Sequence, residues 1–223
     1  MTRLPLILTL LAAPALAQEA NLSQSPHGAA GPAATLAMAQ HLYGRALAEG
    51  DTPMLLTAIH LARSVTLRPA TGWQKATTGT ALPDQPQGTT AAPDPASPDA
   101  ITLARSLAGD DPDLQDLVYD LDAQLPRGRI DGASLARSDL AAGQSDIWQL
   151  AFFGESYAEL AVLGDGDSNL DVVVTDEGGN LICADLSASD QTFCDFVPAR
   201  NGFFTISVAN TGARLNSYSL ITN

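Results

Sequence analysis

An acidic loop between residues 165 and 171 holds the side chains best suited to metal binding in this sequence. Asp165, Asp167, Asn169 and Asp171 occupy alternate positions. Carboxylate and amide oxygens in one tight loop are the hard donors that Ca²⁺ prefers. We exclude an EF-hand, because Leu170 stands where that loop has glycine and a strand pattern follows instead of a helix. The loop is therefore a candidate calcium site, with a solvated acidic turn as the alternative.

The chain has two cysteines, Cys183 and Cys194. In an exported protein such a pair most simply forms one disulfide. A hairpin centred on Ala188 and Ser189 would set the two cysteines opposite each other on one face of a sheet. A free or metal-binding pair is the weaker alternative, since no histidine lies near them in the sequence. We therefore predict a Cys183–Cys194 disulfide that closes a hairpin.

The other reactive residue types do not form a recognisable catalytic motif. The three histidines are His27, His41 and His60, and they fall in different predicted segments. The sequence has no nucleophile elbow, no His-Glu-x-x-His and no phosphate-binding loop. A pair of carboxylates could serve a glycosidase, but nothing singles out two of the 25 acidic residues. We predict a protein that is not an enzyme and keep an unrecognised periplasmic hydrolase as a third hypothesis.

The charge balance restricts the partners. Lys and Arg number 11 against 25 Asp and Glu, which gives a net charge of −14. Nucleic acids and anionic lipid surfaces need basic patches, so neither is expected as a partner. The excess of acidic residues is compatible with binding of divalent cations. The alternative explanation is that these residues only keep the protein soluble.

Residues 1–17 have the pattern of a secretory signal peptide. Arg3 is followed by an apolar run from Leu4 to Leu16, and Ala15-Leu16-Ala17 is a small-x-small cleavage site. The run is shorter than the roughly 20 residues that a membrane span needs, so a retained membrane helix is the weaker alternative. A short signal and a strong preference for arginine over lysine indicate a Gram-negative bacterium. We predict a periplasmic or secreted protein without membrane insertion after signal cleavage.

The N-terminal half predicts helices. After a flexible arm at 18–32, a helical domain at 33–125 contains two αα-hairpins, which would form a small bundle. A proline-rich linker at 69–97 interrupts this domain and is expected to hold no regular element. Trp73 is the exception in the linker, and we expect it to anchor the segment on the helices, with an exposed contact residue as the alternative.

The C-terminal half predicts strands. Residues 133–223 consist of short alternating segments separated by Gly, Asn and Asp turns. The alternation places apolar side chains on inner faces, among them Val162, Val172, Ile206 and Leu220. The expected fold class is α+β multidomain, with a small helical bundle followed by an antiparallel, jelly-roll-like β-sandwich.

Three segments of this half resemble the bacterial pre-peptidase C-terminal domain. They are the acidic turn and strand at Gly164–Asn180, the strand at Gly202–Asn210 and the Tyr-x-Leu segment at Asn216–Leu220. The resemblance implies a jelly-roll-like sandwich that aids export, stability or substrate attachment, in some members with bound calcium. Asp167, Asn169 and Asp171 match the acidic turn of the family. The cysteine pair and the absence of a peptidase domain before the sandwich depart from its pattern.

These features predict a non-catalytic exported protein whose sandwich is an interaction module. Its partner would be an envelope or extracellular protein or a polysaccharide. The alternative is a calcium-dependent carbohydrate-binding module, in which aromatic side chains such as Trp148, Tyr157 or Phe203 contact the ligand. Trp148 alternates with inward-facing residues, so core packing competes with this role.

Overall fold

The computed structural model describes residues 19–25, 28–83, 94–124 and 132–223. All four predicted helices are present: α1 (Pro32–Glu49), α2 (Thr52–Arg63), α3 (Pro98–Ala108) and α4 (Pro112–Ala123). Short polar side chains start three of them, because the first N–H groups of a helix have no partner within it. Asp51 accepts from Met54 N–H, Ser97 accepts from Ala100 N–H, and Asp111 caps α4.

Ten strands form two five-stranded sheets. The strands are β1 (Leu67–Pro69), β2 (Gln74–Gly79), β3 (Ala133–Leu140), β4 (Gln144–Phe152), β5 (Ala158–Leu163), β6 (Leu170–Thr175), β7 (Leu181–Asp185), β8 (Gln191–Phe196), β9 (Gly202–Asn210) and β10 (Asn216–Thr222). The first sheet has the order β1-β3-β10-β5-β8, and the second has the order β2-β4-β9-β6-β7. All pairs are antiparallel except β1 with β3. The fold class is therefore α+β.

The inner faces of the two sheets share one apolar core. Val162 and Leu220 of the first sheet contact it from one side, and Val172 and Ile206 of the second sheet contact it from the other. All four are fully buried. The inward alternation predicted for these strands is confirmed, because side chains of successive residues point to opposite faces of a strand.

The outer face of the first sheet packs against the helices. A second apolar cluster joins Ala33, Leu36 and Ala39 of α1 to Ala161 of β5 and Ile221 of β10. The helices have a third cluster of their own, to which all four contribute. The molecule therefore has three layers in the order helices, first sheet, second sheet.

The expectation that residues 69–97 lack regular structure is wrong in part. The segment holds β2, which pairs with β4 at the edge of the second sheet, and β1 ends at its first residue beside β3. Trp73 lies between the two strands and packs edge-to-face on Trp148 at 6.2 Å between ring centroids, and not on the helices. Every residue of β2 is exposed, so no apolar alternation marked this strand in the sequence.

The Cys183–Cys194 disulfide is present, but the predicted hairpin around it is wrong. Cys183 lies on β7, which pairs with β6 in the second sheet, and Cys194 lies on β8, which pairs with β5 in the first sheet. The chain crosses from one sheet to the other between the two cysteines. Both side chains contact the core between the sheets, so the disulfide connects the two layers of the sandwich.

The described part of the predicted flexible arm is bound to the sandwich. Asn21 is fully buried, and its backbone N–H donates to Asp176 Oδ2 over 2.7 Å. Ser23 N–H donates to the carbonyl oxygen of Val197. Residues 19–25 therefore follow the surface of the sandwich because buried polar groups there supply their hydrogen bonds.

Several predicted features lie outside the described residues. They include the signal peptide at 1–17, His27 and the proline-rich residues 84–93. The helix-to-strand boundary at 125–131 lies outside them as well. Within the described residues, no helix has both the length and the apolar character needed to cross a membrane.

Candidate binding face on the second sheet

Trp148 is a core residue. Its side chain is buried in the core between the sheets, and its indole N–H donates to the hydroxyl of Tyr218 over 2.6 Å. Lys75 Nζ lies 5.6 Å from the Trp148 ring centroid. Trp148 therefore stabilises the sandwich and offers no free ring face to a ligand.

Asp146 of β4 is the centre of a buried polar network between the sheets. Its side chain is 0% exposed. The carboxylate accepts hydrogen bonds from the hydroxyls of Ser138 and Tyr218 at 2.7 Å and 2.8 Å, and from Thr77. Lys75, the sole lysine of the chain, pairs with the same carboxylate at 3.3 Å. A buried charge needs such partners, so the network is a structural connection between the sheets.

The pKa of Asp146 lies below its usual value. Burial acts to raise the pKa, but the hydrogen bonds from Thr77, Ser138 and Tyr218, together with the charge of Lys75, outweigh burial. The aspartate is therefore ionised in the folded protein at neutral pH. Lys75 Nζ also donates to Ser138 Oγ over 2.7 Å, and the same hydroxyl donates to Asp146 Oδ2, so the Ser138 side chain is engaged within this network.

Tyr157 is half-buried beside the start of β5. Its hydroxyl donates to Asp195 Oδ2 over 3.2 Å. Burial and the negative charge of Asp195 raise the pKa of Tyr157 to about 12, so the hydroxyl stays protonated. The ring is also close to Gly28, where a Cβ atom would lie 2.8 Å from Tyr157 Cδ1.

Of the four predicted calcium ligands, Asp165, Asp167 and Asn169 lie in the loop before β6 and Asp171 is the second residue of β6, and several of their polar groups are engaged in hydrogen bonds. Asp165 accepts from the backbone N–H groups of Asp167 and Ser217, and Asp171 accepts from the side-chain amide of Asn169. Among the described residues, no group of three or more His, Cys, Asp or Glu side chains is placed to hold a metal ion. Calcium binding therefore stays a prediction.

Glu159 of β5 connects the first sheet to α1. The carboxylate is fully buried and accepts hydrogen bonds from the backbone N–H groups of Gly31 and Ala33, at 3.0 Å for Ala33. The N-terminus of a helix carries a partial positive charge and unpaired N–H groups, so a carboxylate is stabilised there. This contact, with the apolar cluster beside it, holds the helices over the outer face of the first sheet.

The outer face of the second sheet is solvent-facing. The helices pack on β5, β8 and β10, which all belong to the first sheet. We call the outward side chains of the second sheet the open face. Its residues are Gln74, Ala76, Thr78, Ser145, Ile147, Gln149, Ala151, Asp171, Val173, Thr175, Leu181, Ala184, Phe203, Thr205, Ser207 and Ala209.

The open face is almost without charge. Of its residues only Asp171, at the margin of the acidic loop, is ionisable, although charged residues make up 16% of the chain. Cross-strand rows run across all five strands, and one of them passes from Gln74 through Gln149, Thr205 and Thr175 to Leu181. Leu181 is 61% exposed and Phe203 is 56% exposed. An uncharged sheet face with exposed large apolar side chains is suited to contact a partner.

The open face was not predicted from the sequence, although the sequence holds a signal for it. Residues 145, 147, 149 and 151 and residues 203, 205, 207 and 209 alternate with core residues and carry no charge. Inward alternation indicates a strand, and the lack of charge among the outward residues distinguishes this face from an ordinary solvated one. Assembly of the face also required the order of strands, which the sequence did not supply.

Comparison with known proteins finds similarity among solved structures alone. No protein-family model matches the chain, and no curated protein matches it. A solved structure of the pre-peptidase C-terminal domain of collagenase from Bacillus anthracis is similar at 14% sequence identity with a TM-score of 0.36. The match covers 44% of this chain and 100% of that domain. We draw no functional conclusion from a similarity of this extent.

Proposed function

We propose that this protein is an exported, non-catalytic binding protein that contacts its partner through the open face. The observation that carries the proposal is the contrast between the two outer sheet faces. Helices cover the first, whereas the second presents uncharged side chains, including the exposed Phe203 and Leu181. The partner is an envelope or extracellular protein or a polysaccharide.

The same proposal includes the type of sandwich and the arrangement of the helices. We infer a sandwich of the pre-peptidase C-terminal type with jelly-roll-like connections, preceded by helices that form a small bundle. The acidic turn at Gly164–Asn180 and the strand at Gly202–Asn210 support it. The disulfide supports export, because disulfides persist in oxidising compartments.

Introduction of charge on the open face tests the proposal. Phe203→Asp and Leu181→Glu place charges on an uncharged surface without removing a core side chain. Leu107→Glu on α3 is the matched control, because Leu107 is a similarly exposed apolar residue on the helices. We expect the open-face variants, but not Leu107→Glu, to lose retention on an envelope fraction in co-sedimentation and crosslinking. Equal retention of all three variants would contradict the proposal, and turnover by the purified protein would contradict its non-catalytic character.

Calcium-dependent carbohydrate binding is the second candidate. Burial raises the pKa of Asp165, and repulsion from Asp167 and Asp190 adds to this effect, which a divalent cation would relieve. The side-chain oxygen of Asn169 is buried without a hydrogen-bond partner in the described structure. Calorimetry of EDTA-treated wild type and Asp167→Asn with Ca²⁺ is the test. Saturable heat that is lost in the variant would support calcium binding, and its absence in the wild type would eliminate it.

A further inference from the structure

A cavity of about 250 Å³ opens at one end of the sandwich. Trp73 and Phe153 contribute aromatic rings to its lining, and Tyr157 lies beside them. Ser134 and Ser156 contribute hydroxyl groups. Asn223 also lines the cavity, but its side-chain oxygen accepts from Glu159 N–H over 3.0 Å and its NH₂ group donates to the carbonyl oxygen of Tyr157 over 3.0 Å. Both sheets therefore contribute to the cavity, because Ser134 belongs to β3 and Phe153 follows β4.

Among the described residues, the lining of this cavity has no Asp, Glu, Lys, Arg or His side chain. These residues offer an anionic ligand no cation and a metal ion no carboxylate side chain. The volume lies below the roughly 300–1,000 Å³ of pockets for drug-sized molecules, so the cavity suits a single small ring. Aromatic rings can cover an apolar ring face, while hydroxyl and amide groups both donate and accept hydrogen bonds.

A neutral sugar unit has both properties that this lining requires. A pyranose has an apolar C–H face and a periphery of hydroxyl groups, so it can stack on a ring and bond to polar groups at once. Sugars that carry a carboxylate or sulfate would be repelled by a chain with a net charge of −14. The ligand class is therefore a neutral glycan.

The cavity lies beside one end of the open face. Ala151 lines the cavity and is also the cross-strand partner of the exposed Phe203. Phe153 lines the cavity and is 75% exposed. A polysaccharide that lies across the open face can therefore place one of its units between Phe153 and Trp73.

We propose that this cavity binds one unit of a neutral polysaccharide that lies along the open face. The proposal rests on the proposed binding function and adds to it a ligand class and a subsite. It assigns Phe153 and Trp73 to stacking on the sugar ring, and Ser134 and Ser156 to hydrogen bonds with its hydroxyl groups.

Binding of defined oligosaccharides by the purified full chain is the test. The probes are neutral cello-, xylo-, malto- and N-acetylglucosamine oligosaccharides, with uronic-acid oligosaccharides as the charged comparison. Binding is screened on an array and then measured by calorimetry. The variants are Phe153→Ala, which removes an exposed ring, and Trp73→Ala. The control is Tyr119→Ala on α4, whose ring is 71% exposed and lies outside the cavity.

We expect saturable binding of at least one neutral series. It should weaken tenfold or more in Phe153→Ala and Trp73→Ala and stay unchanged in Tyr119→Ala. Phe153→Ala should keep the urea midpoint of the wild type, which separates lost binding from lost folding. Phe153→Tyr should bind as the wild type does, in contrast to Phe153→Ala, because it keeps an aromatic ring at this position.

Three results would overturn the cavity proposal. They are no binding of any neutral series, tighter binding of the uronic-acid series, and binding that survives both cavity variants but is lost in Phe203→Asp. The proposed function is tested separately by retention on the envelope fraction. If that retention depends on the open face while neutral sugars fail to bind, the binding function stands and the cavity proposal falls.

Discussion

The carboxylate of Glu159 accepts a hydrogen bond from the backbone N–H of Ala33 over 3.0 Å, and this contact connects the sandwich to the first helix. The acceptor lies on a strand and the donor in the first turn of a helix, 126 residues apart in sequence. Gly31 leaves room for the contact, because a Cβ atom there would lie 2.7 Å from Glu159 Oε2. One buried side chain thus fixes the helix over a sheet face that would otherwise be open.

Replacement of Glu159 by glutamine should destabilise the protein. Glutamine keeps one acceptor oxygen but removes the negative charge beside the N-terminus of α1, and its NH₂ group would face backbone donors. We expect a loss of about 1–3 kcal/mol in the free energy of unfolding, measured by urea denaturation. Glu49→Gln, at the exposed end of the same helix, is the control and should change stability by less than about 0.5 kcal/mol. Equal effects of the two variants would contradict the capping role.

Removal of the disulfide by Cys183→Ser with Cys194→Ser should lower stability by about 3 kcal/mol, because an open chain has more unfolded conformations. The effect should appear in urea denaturation without reductant and disappear when the wild type is reduced. Intact mass measured after alkylation under denaturing conditions provides the covalent check. Two alkylated thiols in protein purified from the periplasm would show that the disulfide does not form.

The sequence was sufficient to predict those elements whose hydrogen-bond partners are close along the chain or whose apolar residues alternate. The caps at Ser97 and Asp111 and the inward faces of β6 and β9 follow from local rules. The metal ligands that it suggested are near one another, but their engagement in backbone hydrogen bonds depends on distant donors such as Ser217 N–H. Local patterns therefore identified the candidate loop and not the state of its side chains.

Pairing between strands was not predictable in the same way. Alternation predicts which way Cys183 points but not whether β7 pairs with β6 or with β8, and these two choices place the disulfide differently. The strand β2 has no apolar alternation, and it pairs with β4, where the partner of Thr77 is Asp146, 69 residues further along the chain. The open face depends on the pairing of β7 with β6 and of β2 with β4, and neither pairing could be predicted from the sequence.

Stability should depend on acid pH through Asp146. The pKa of Asp146 in the folded protein is lowered from the ordinary value of 3.8. The ionised carboxylate therefore contributes fully to the free energy of unfolding above pH 3.8, and this contribution is lost as the pH falls through the folded-state pKa. Asp146→Asn should lower the free energy of unfolding by about 2 kcal/mol at pH 7. The difference between variant and wild type should shrink at pH 3 in urea denaturation.

The control for Asp146 is Asp122→Asn, which alters an exposed ion pair with Arg105. We expect its stability to stay within about 0.5 kcal/mol of the wild type at pH 7. A difference between Asp146→Asn and wild type that stays constant from pH 7 to pH 3 would show that the carboxylate charge does not stabilise the network.

Replacement of Asn21 by alanine should release the N-terminal arm from the sandwich. The Asn21 side chain donates to the carbonyl oxygen of Arg200 over 3.1 Å and accepts from the N–H of the same residue over 2.9 Å. Alanine would leave these backbone groups without their partner, at a cost of about 1–3 kcal/mol. Hydrogen exchange should then accelerate at Ser23 and Arg200, whose N–H groups bond across the contact between arm and sandwich. Leu22→Ala changes an exposed neighbour and should leave exchange at both amides slow. Fast exchange at Ser23 in the wild type would mean that the arm is not bound in solution.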